Sequence, residues 1–488
     1  MSLSRSAFVL VAGRTAGFVA SFAIPVVLAR VFAPAEFGTY KQLFLIYTTL
    51  FGLMQIGMAE SLYYFMPRQS EDAGRQIANA IVTLALAGGG CVAVLWIARR
   101  AVAGWMSNPQ LEATLTPLAV FLALMLVSAV LEIVMVARKR HVQAALTYAA
   151  SDVARTAVFV VPALLWGSLH AVLVGAIAFA AARVVMTVIA AWREFRGEFR
   201  VDRGVWTTQL AYALPFALAV GIEVIQVNYH QYVVAARFDA ATFAVYAVGC
   251  LQIPLVDLIM TSTTNVMMVK MAEDMRDGRT EDALALWHDT ICRLAFLMFP
   301  LAALLLVAAH DIIVTLFTAR YAASVPIFML WSLTILPAAF AVDAVLRVYA
   351  QTRFLLVMNL VRLGLVAGFI GVFMSAFGIG GAVLVTLAAT VLVKVMGVLR
   401  IGRLMHARLL DMLPWQRLTG IALAAALAAA PAYFVRHAAA LPPLFGAALA
   451  SAIYGAVYLL LYYGYARWEQ AAPIPRVANA PMRQLGEI

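Results

Sequence analysis

Eleven ionisable side chains fall inside long apolar runs of this chain: Arg14, Glu60, Glu132, Asp152, Arg155, Arg183, Glu223, Asp257, Asp343, Arg362 and Lys394. A charge at bilayer depth is costly and normally faces protein or water. Guanidinium groups grip anionic oxygens bidentately and an ammonium does so as a point charge. The five cations among the eleven are therefore candidates for holding an anionic ligand. A buried carboxylate can exchange a proton during a transport cycle, which gives Glu60, Asp152, Glu223 and Asp257 a second reading. Spacing also offers structural roles. Asp152 and Arg155 stand three apart on one helix and can neutralise each other. Arg14 lies in the small-residue stretch Gly13-Arg-Thr-Ala-Gly17, with Ser21 one turn beyond Gly17, and can pair with Glu60 or line a cavity. Arg362 and Lys394 can snorkel to the interface, although both are deep for that. Glu223, Gln226 and His230 share one helical face.

The elements that must position these groups follow from composition. The chain has 488 residues, of which 64% are apolar and only 12% charged, with a mean hydropathy of +0.92. A soluble core cannot absorb that much apolar surface, so a soluble enzyme, a disordered chain and a nucleic-acid-binding domain are excluded. A bilayer core of about 30 Å needs about 20 helical residues. Fourteen such runs are present, from 7–29 to 443–464. They are too long and too uniform for alternating barrel strands. The first run lacks a cleavage pattern and reads as a retained span. The eighth is the weakest, carrying Asp257 and running into Thr261-Ser-Thr-Thr-Asn265. Pro25, Pro162, Pro215, Pro254, Pro300 and Pro337 interrupt spans and can bend them.

Basic residues set the orientation. If the amino terminus and the loops after even-numbered spans form one side, that side holds 23 Lys and Arg and the other holds 7. The bias places both termini in the cytoplasm. The net charge of +11 then reflects loops facing anionic lipid, not a nucleic-acid partner. No loop is long enough for a second domain. Residues 281–288 are expected as a short amphipathic helix on the membrane surface. Cys91, Cys250 and Cys292 fit neither a disulfide framework nor a metal cluster. There is no phosphate-cradling glycine loop, no HExxH and no nucleophile elbow, so no cofactor, metal or catalytic set is expected and the chain does not read as an enzyme.

The chain also repeats itself. Phe32-Ala-Pro-Ala-Glu-Phe37-Gly-Thr-Tyr40 recurs as Phe238-Asp-Ala-Ala-Thr-Phe243-Ala-Val-Tyr246, an offset of 206. The last four residues of His170-Ala-Val-Leu-Val174 recur in Gly381-Ala-Val-Leu-Val385, and Val136-Ala-Arg-Lys-Arg140 resembles Tyr349-Ala-Gln-Thr-Arg353 at an offset of 213. Six spans per copy give parallel repeats about an axis along the membrane normal, which enclose a cavity and can rock to open it to alternate sides. The expected organisation is a six-helix bundle over 1–200, a second over 201–405, two further transmembrane helices over 406–466 and a cytoplasmic tail over 467–488. The fold class is an all-α polytopic membrane protein of about fourteen helices.

These features resemble the polysaccharide-transport branch of the multidrug/oligosaccharidyl-lipid/polysaccharide exporter superfamily, the O-antigen-type flippases. The resemblance rests on Leu28-Ala-Arg-Val-Phe-Ala-Pro-Ala-Glu-Phe-Gly-Thr-Tyr40, Gly57-Met-Ala-Glu-Ser61, Tyr321-Ala-Ala-Ser-Val-Pro326 and Gly378-Ile-Gly-Gly-Ala382, and spans about 5–405. It implies a V-shaped pair of bundles in the bacterial cytoplasmic membrane. It also implies movement of undecaprenyl-diphosphate-linked oligosaccharide from the inner to the outer leaflet, for O-antigen, exopolysaccharide or capsule assembly. The partners are then the bilayer and the lipid-linked oligosaccharide, with a glycan polymerase and a chain-length regulator as candidate protein partners. On this reading Arg14, Arg155, Arg183, Arg362 and Lys394 form a cationic headgroup site. Related drug exporters use an acidic residue on the seventh span for coupling, which Glu223 resembles. Two competing functions remain at the level of sequence: a cation-coupled drug exporter of the same superfamily, and a membrane enzyme or assembly partner of glycan synthesis.

Overall fold

The computed structural model describes residue 17, residues 20–277, residue 279, and residues 282–438 and 442–471. The described residues are helical throughout, with short turns and no strand. The first six spans comprise α1 (Ala20–Val31), α2 (Pro34–Met54) with α3 (Met58–Arg68), α4 (Ala73–Trp105), α5 (Gln110–Ser128) with α6 (Val130–Ala137), α7 (His141–Trp166) and α8 (Leu169–Glu194). The next six comprise α9 (Arg203–Arg237), α10 (Ala240–Gly249) with α11 (Pro254–Arg276), α12 (Asp282–Val307), then α13 (Ala309–Phe317) leading into α14 (Val325–Ser332), α15 (Ile335–Ala338) and α16 (Val342–Val348), and finally α17 (Thr352–Phe377) and α18 (Gly381–Leu404). Two helices follow, α19 (Trp415–Ala438) and α20 (Pro443–Ala471).

Ten described helices are long and apolar enough to cross a membrane, or eleven if the pair Arg203–Pro215 and Val220–Arg237, bent by 46°, is one span. The sequence count of fourteen is larger for identifiable reasons. Residues 352–404 form one continuous apolar stretch but hold two helices, α17 and α18, which turn back on each other at Gly378 (φ +60°). Helix α1, Ala20–Val31, is too short to count, and the eighth run is divided at Leu251–Ile253 into α10 and α11. The bend in α9 falls at Pro215, whose ring removes a helical hydrogen bond.

Capping fixes where the second set of spans begins. The Asp202 side chain accepts from the Val205 N–H at 3.1 Å and caps α9, and that bond holds its carboxyl below the ordinary carboxylate range. The connection is also pinned to α4: Asn79 donates to the Asp202 carbonyl at 3.0 Å and accepts from its N–H at 3.1 Å. Asp239 caps α10 in the same way, accepting from the Thr242 N–H at 2.8 Å.

Residues 282–288 are the first turns of α12, not a separate surface helix. Ala283 and Trp287 point inward and are fully buried, and the Trp287 indole N–H donates to the Phe340 carbonyl at 3.0 Å. Packing, which sequence polarity does not report, draws this stretch into the bundle.

The internal repeat reappears as matched backbone. The N–H of Arg140 bonds to the Met135 carbonyl after Lys139 at φ +59°, and the N–H of Gln351 bonds to the Leu346 carbonyl after Ala350 at φ +53°. The shared cap sets the true offset there at 211 rather than 213, because backbone turns, not residue identities, define the correspondence. The two segments matched at 206 pack on each other: Gly38 of α2 lies against the Ala240 backbone of α10 so closely that no Cβ fits between them. Leu86, Ile97, Trp166, Phe434 and Leu460 are more than half exposed on the outside of the bundles, an apolar surface that only lipid satisfies. The two final helices join through α12, where the Tyr458 hydroxyl donates to the Phe296 carbonyl at 2.9 Å, and through a bidentate Arg436–Asp311 pair.

Candidate functional site

The membrane-depth charges sort into separate groups. In the first set of spans Arg183 is 8% exposed. Its guanidinium pairs with both Glu132 oxygens, at 2.8 and 2.9 Å, and donates to Ser128 and Ser151. Arg155 pairs with Asp152 at 2.7 Å and donates to the Ser21 hydroxyl at 2.7 Å, which ties α7 to α1. Glu60 is half-buried at the start of α3, and its Oε2 has no hydrogen-bond partner among the described residues. Arg14, and with it the Arg14–Glu60 pairing, lies outside the described residues.

The other group converges. A cavity of 510 Å³ opens between α9, α11, α14 to α16, α17 and α18, and Arg347, Arg362, Lys394, Asp257 and Asp343 line it. Lys394 Nζ donates to Asp343 at 2.5 Å, and Arg362 reaches Gln226 Oε1 of α9 at 3.5 Å. The Arg362 Nε is buried with no partner among the described residues. A guanidinium so placed can still accept an anionic ligand. Snorkelling is thus not how Arg362 and Lys394 are accommodated; a polar cavity reaches them instead. On α9, Gln226 and His230 are buried, the His230 Nδ1 lies 2.6 Å from the Tyr246 hydroxyl, and Glu223 is exposed and outside the cavity lining.

Arg347 is a further cavity cation, absent from the eleven membrane-depth charges named from the sequence. Its position becomes legible only when the tenth span is seen to break, which brings α16 beside α18. Outside this cavity, a second groove of 580 Å³ runs between α19 and α20 and is largely apolar, with Trp415, Leu423, Leu427, Leu461 and Tyr465 along it. No group of His, Cys, Asp and Glu among the described residues is arranged to hold a metal ion.

Apolar helices wrapped around a charged cavity define a multi-pass membrane protein of the transporter type. The family profile of polysaccharide biosynthesis proteins matches residues 27–326, and the chain belongs to that family. No curated protein matches it in sequence. Among solved structures, the lipid II flippase MurJ in an inward closed conformation is similar at 12% identity and TM-score 0.73, over 94% of this chain and 99% of that one. An inward-facing multidrug resistance MATE family transporter of the MOP superfamily is similar at 14% identity and TM-score 0.60, over 80% and 95%. A MOP superfamily transporter from Pyrococcus furiosus, described as having a binding pocket of reversed polarity, is similar at 15% identity and TM-score 0.56, over 82% and 95%. The fold is therefore that of the MurJ and MATE transporters, as the sequence resemblance implied.

Proposed function

We propose that this protein is a flippase that carries undecaprenyl-diphosphate-linked oligosaccharide from the inner to the outer leaflet of the bacterial cytoplasmic membrane. The carrying observation is the cavity that gathers Arg347, Arg362 and Lys394 at one end, with Arg362 incompletely bonded. A diphosphate presents several anionic oxygens, and charge-assisted bonds to a guanidinium and an ammonium are the chemistry that selects it. Asp343 holds Lys394 in place when the site is empty and gives it up to the phosphate when it is full. The groove between α19 and α20 offers the polyprenyl chain an apolar track. The two sets of spans rock about the tight α2–α10 contact, so the cavity meets alternate leaflets and no covalent step is needed. The expected organisation stands as part of this proposal: bundles over 1–200 and 201–405, both termini cytoplasmic, and a polymerase and chain-length regulator receiving the product. Arg155 and Arg183 then serve chiefly to hold the first bundle together.

Deletion of the gene followed by analysis of undecaprenyl-linked sugars tests the proposal. Full-length lipid-linked oligosaccharide should accumulate, with its sugar accessible only from the cytoplasmic face. Unchanged levels and sidedness would remove the flippase role. Coupling is tested separately at Glu223, an exposed acid of α9 that interacts electrostatically with Arg362. Glu223→Gln should lose the dependence of flipping on the proton gradient while substrate still binds, and an unchanged dependence excludes it.

A further inference from the structure

Among the described residues spans two, four, eight and ten are interrupted, and the breaks of spans four and ten fall at matching places under the repeat offset of 211, whereas those of spans two and eight do not. Spans two and four break at Gln55–Gly57 and at Ala129, and spans eight and ten break at Leu251–Ile253 and between Leu333 and Ala341. Non-helical backbone at membrane depth is tolerated only where protein or a water-filled cavity satisfies its polar groups. Interrupted helices at matching places in two repeats are a pointer to a binding site. In the first repeat the break in span four is sealed by protein: Arg183 donates to the Ser128 carbonyl at 3.3 Å. The breaks of spans eight and ten instead face each other across a recess of 200 Å³ that adjoins the charged cavity and shares Gln252, Asp257, Trp331 and Thr334 with it.

The recess has its own chemistry. No Lys, Arg or His lines it, so an anionic group is not its occupant. Asp257 and Gln252 are exposed into it, and the Asp257 carboxylate has no ion pair or hydrogen bond among the described residues. An apolar lipid chain is not its occupant either, since it would strand that carboxylate without a partner. Trp331 is half-buried and lines both spaces, with its ring 5.4 Å from His230. A carboxylate, an amide and a hydroxyl beside an indole match a ring with several hydroxyl donors and one apolar C–H face. The size of the recess suits a single pyranose.

We infer that this recess between the two broken spans is a glycan subsite, in which Trp331 stacks on a sugar ring and Asp257 accepts its hydroxyls while the diphosphate lies at the adjoining cationic end. The inference rests on the lipid-linked oligosaccharide reading and extends it to the part of the substrate that carries its identity.

The test uses full-length protein in micelles and native mass spectrometry with three probes. These are undecaprenyl diphosphate, the undecaprenyl-diphosphate-linked oligosaccharide extracted from the producing cell, and the same oligosaccharide released from its lipid. The parent protein should prefer the glycosylated lipid to the bare one. Asp257→Asn, which loses a charged acceptor, and Trp331→Leu, which loses the stacking face, should each cut the preference for the glycosylated lipid over undecaprenyl diphosphate about tenfold. Trp331→Phe, which keeps an aromatic face, should retain most of the preference. Variants that keep the full preference, or that lose both lipids in parallel, overturn the subsite. If the parent binds neither lipid, the lipid-linked reading fails instead. The subsite then stands only if the released oligosaccharide binds the parent and not Trp331→Leu, and it falls if that binding is absent.

Discussion

Arg183 and Arg155 show how little a residue type says about its task. Both are arginines on helices of the first repeat, yet one is sealed and the other is partly open, with side-chain exposures of 10% and 31%. Breaking a buried pair leaves the remaining charge without a partner, at a cost of about 3–5 kcal/mol. Arg183→Leu should therefore lower thermal stability in detergent by that order, and adding Glu132→Leu should recover most of it. A single variant as stable as the parent would contradict the pairing. For Arg155 the partner is Asp152, so Arg155→Gln should lower the melting temperature and the double change with Asp152→Asn should restore both stability and glycan export. A double mutant that is stable but does not export would return Arg155 to the headgroup site. Spacing on one helix made the Asp152–Arg155 pair legible in the sequence. The Arg183–Glu132 pair was not, because its partners stand 51 residues apart and meet only when α6 and α8 pack.

Helix placement depends on a few contacts where no side chain can be added. At Gly38 a Cβ would run into the Ala240 backbone, whereas at Gly89 of α4 it would meet nothing within 4 Å. Gly38→Ala should thus separate α2 from α10, lowering both melting temperature and export. Gly89→Ala should leave export intact and raise stability by about 0.5–1 kcal/mol through lost backbone freedom in the unfolded chain. Equal effects at the two positions would remove the α2–α10 contact from its role as fulcrum. The linker is a second such point. Asn79 is 1% exposed and satisfies both backbone groups of Asp202. Asn79→Ala leaves the Asp202 N–H without its partner at about 1–3 kcal/mol, while the carbonyl keeps the Trp206 N–H, so limited proteolysis should cut near 195–203 faster in the variant than in the parent.

At the scale of the whole molecule, the prediction is the topology. In a background without Cys91, Cys250 and Cys292, single cysteines at Arg140 and Arg279 should be shielded from an impermeant thiol reagent in intact cells, and one at Ala33 should react. Removing the native thiols breaks no disulfide, since none of the three cysteines is in one, and small replacements such as Ala or Ser at the buried Cys91 and Cys250 keep the packing close to native. Labelling at Arg140 and Arg279 with none at Ala33 would reverse the orientation. The direction of loading would then have to come from the opposite leaflet.

Sequence alone determined that this chain lives in a bilayer, that it is helical and that it is built from two similar sets of spans. Those properties follow from composition, run length and local repetition, which act over a few turns of chain and need no partner. The repeat register needed backbone geometry, since the cap at Lys139 matches that at Ala350 whatever residues flank them. Which charges share a site was decided by the tertiary structure. Asp343 and Lys394 are 51 residues apart, and Arg362 meets Gln226 across 136. The breaks in spans eight and ten looked like weak or proline-bearing hydrophobic runs until folding set them opposite each other. In a low-dielectric interior a polar group is placed by what surrounds it, and the surroundings come from helices far apart in the chain.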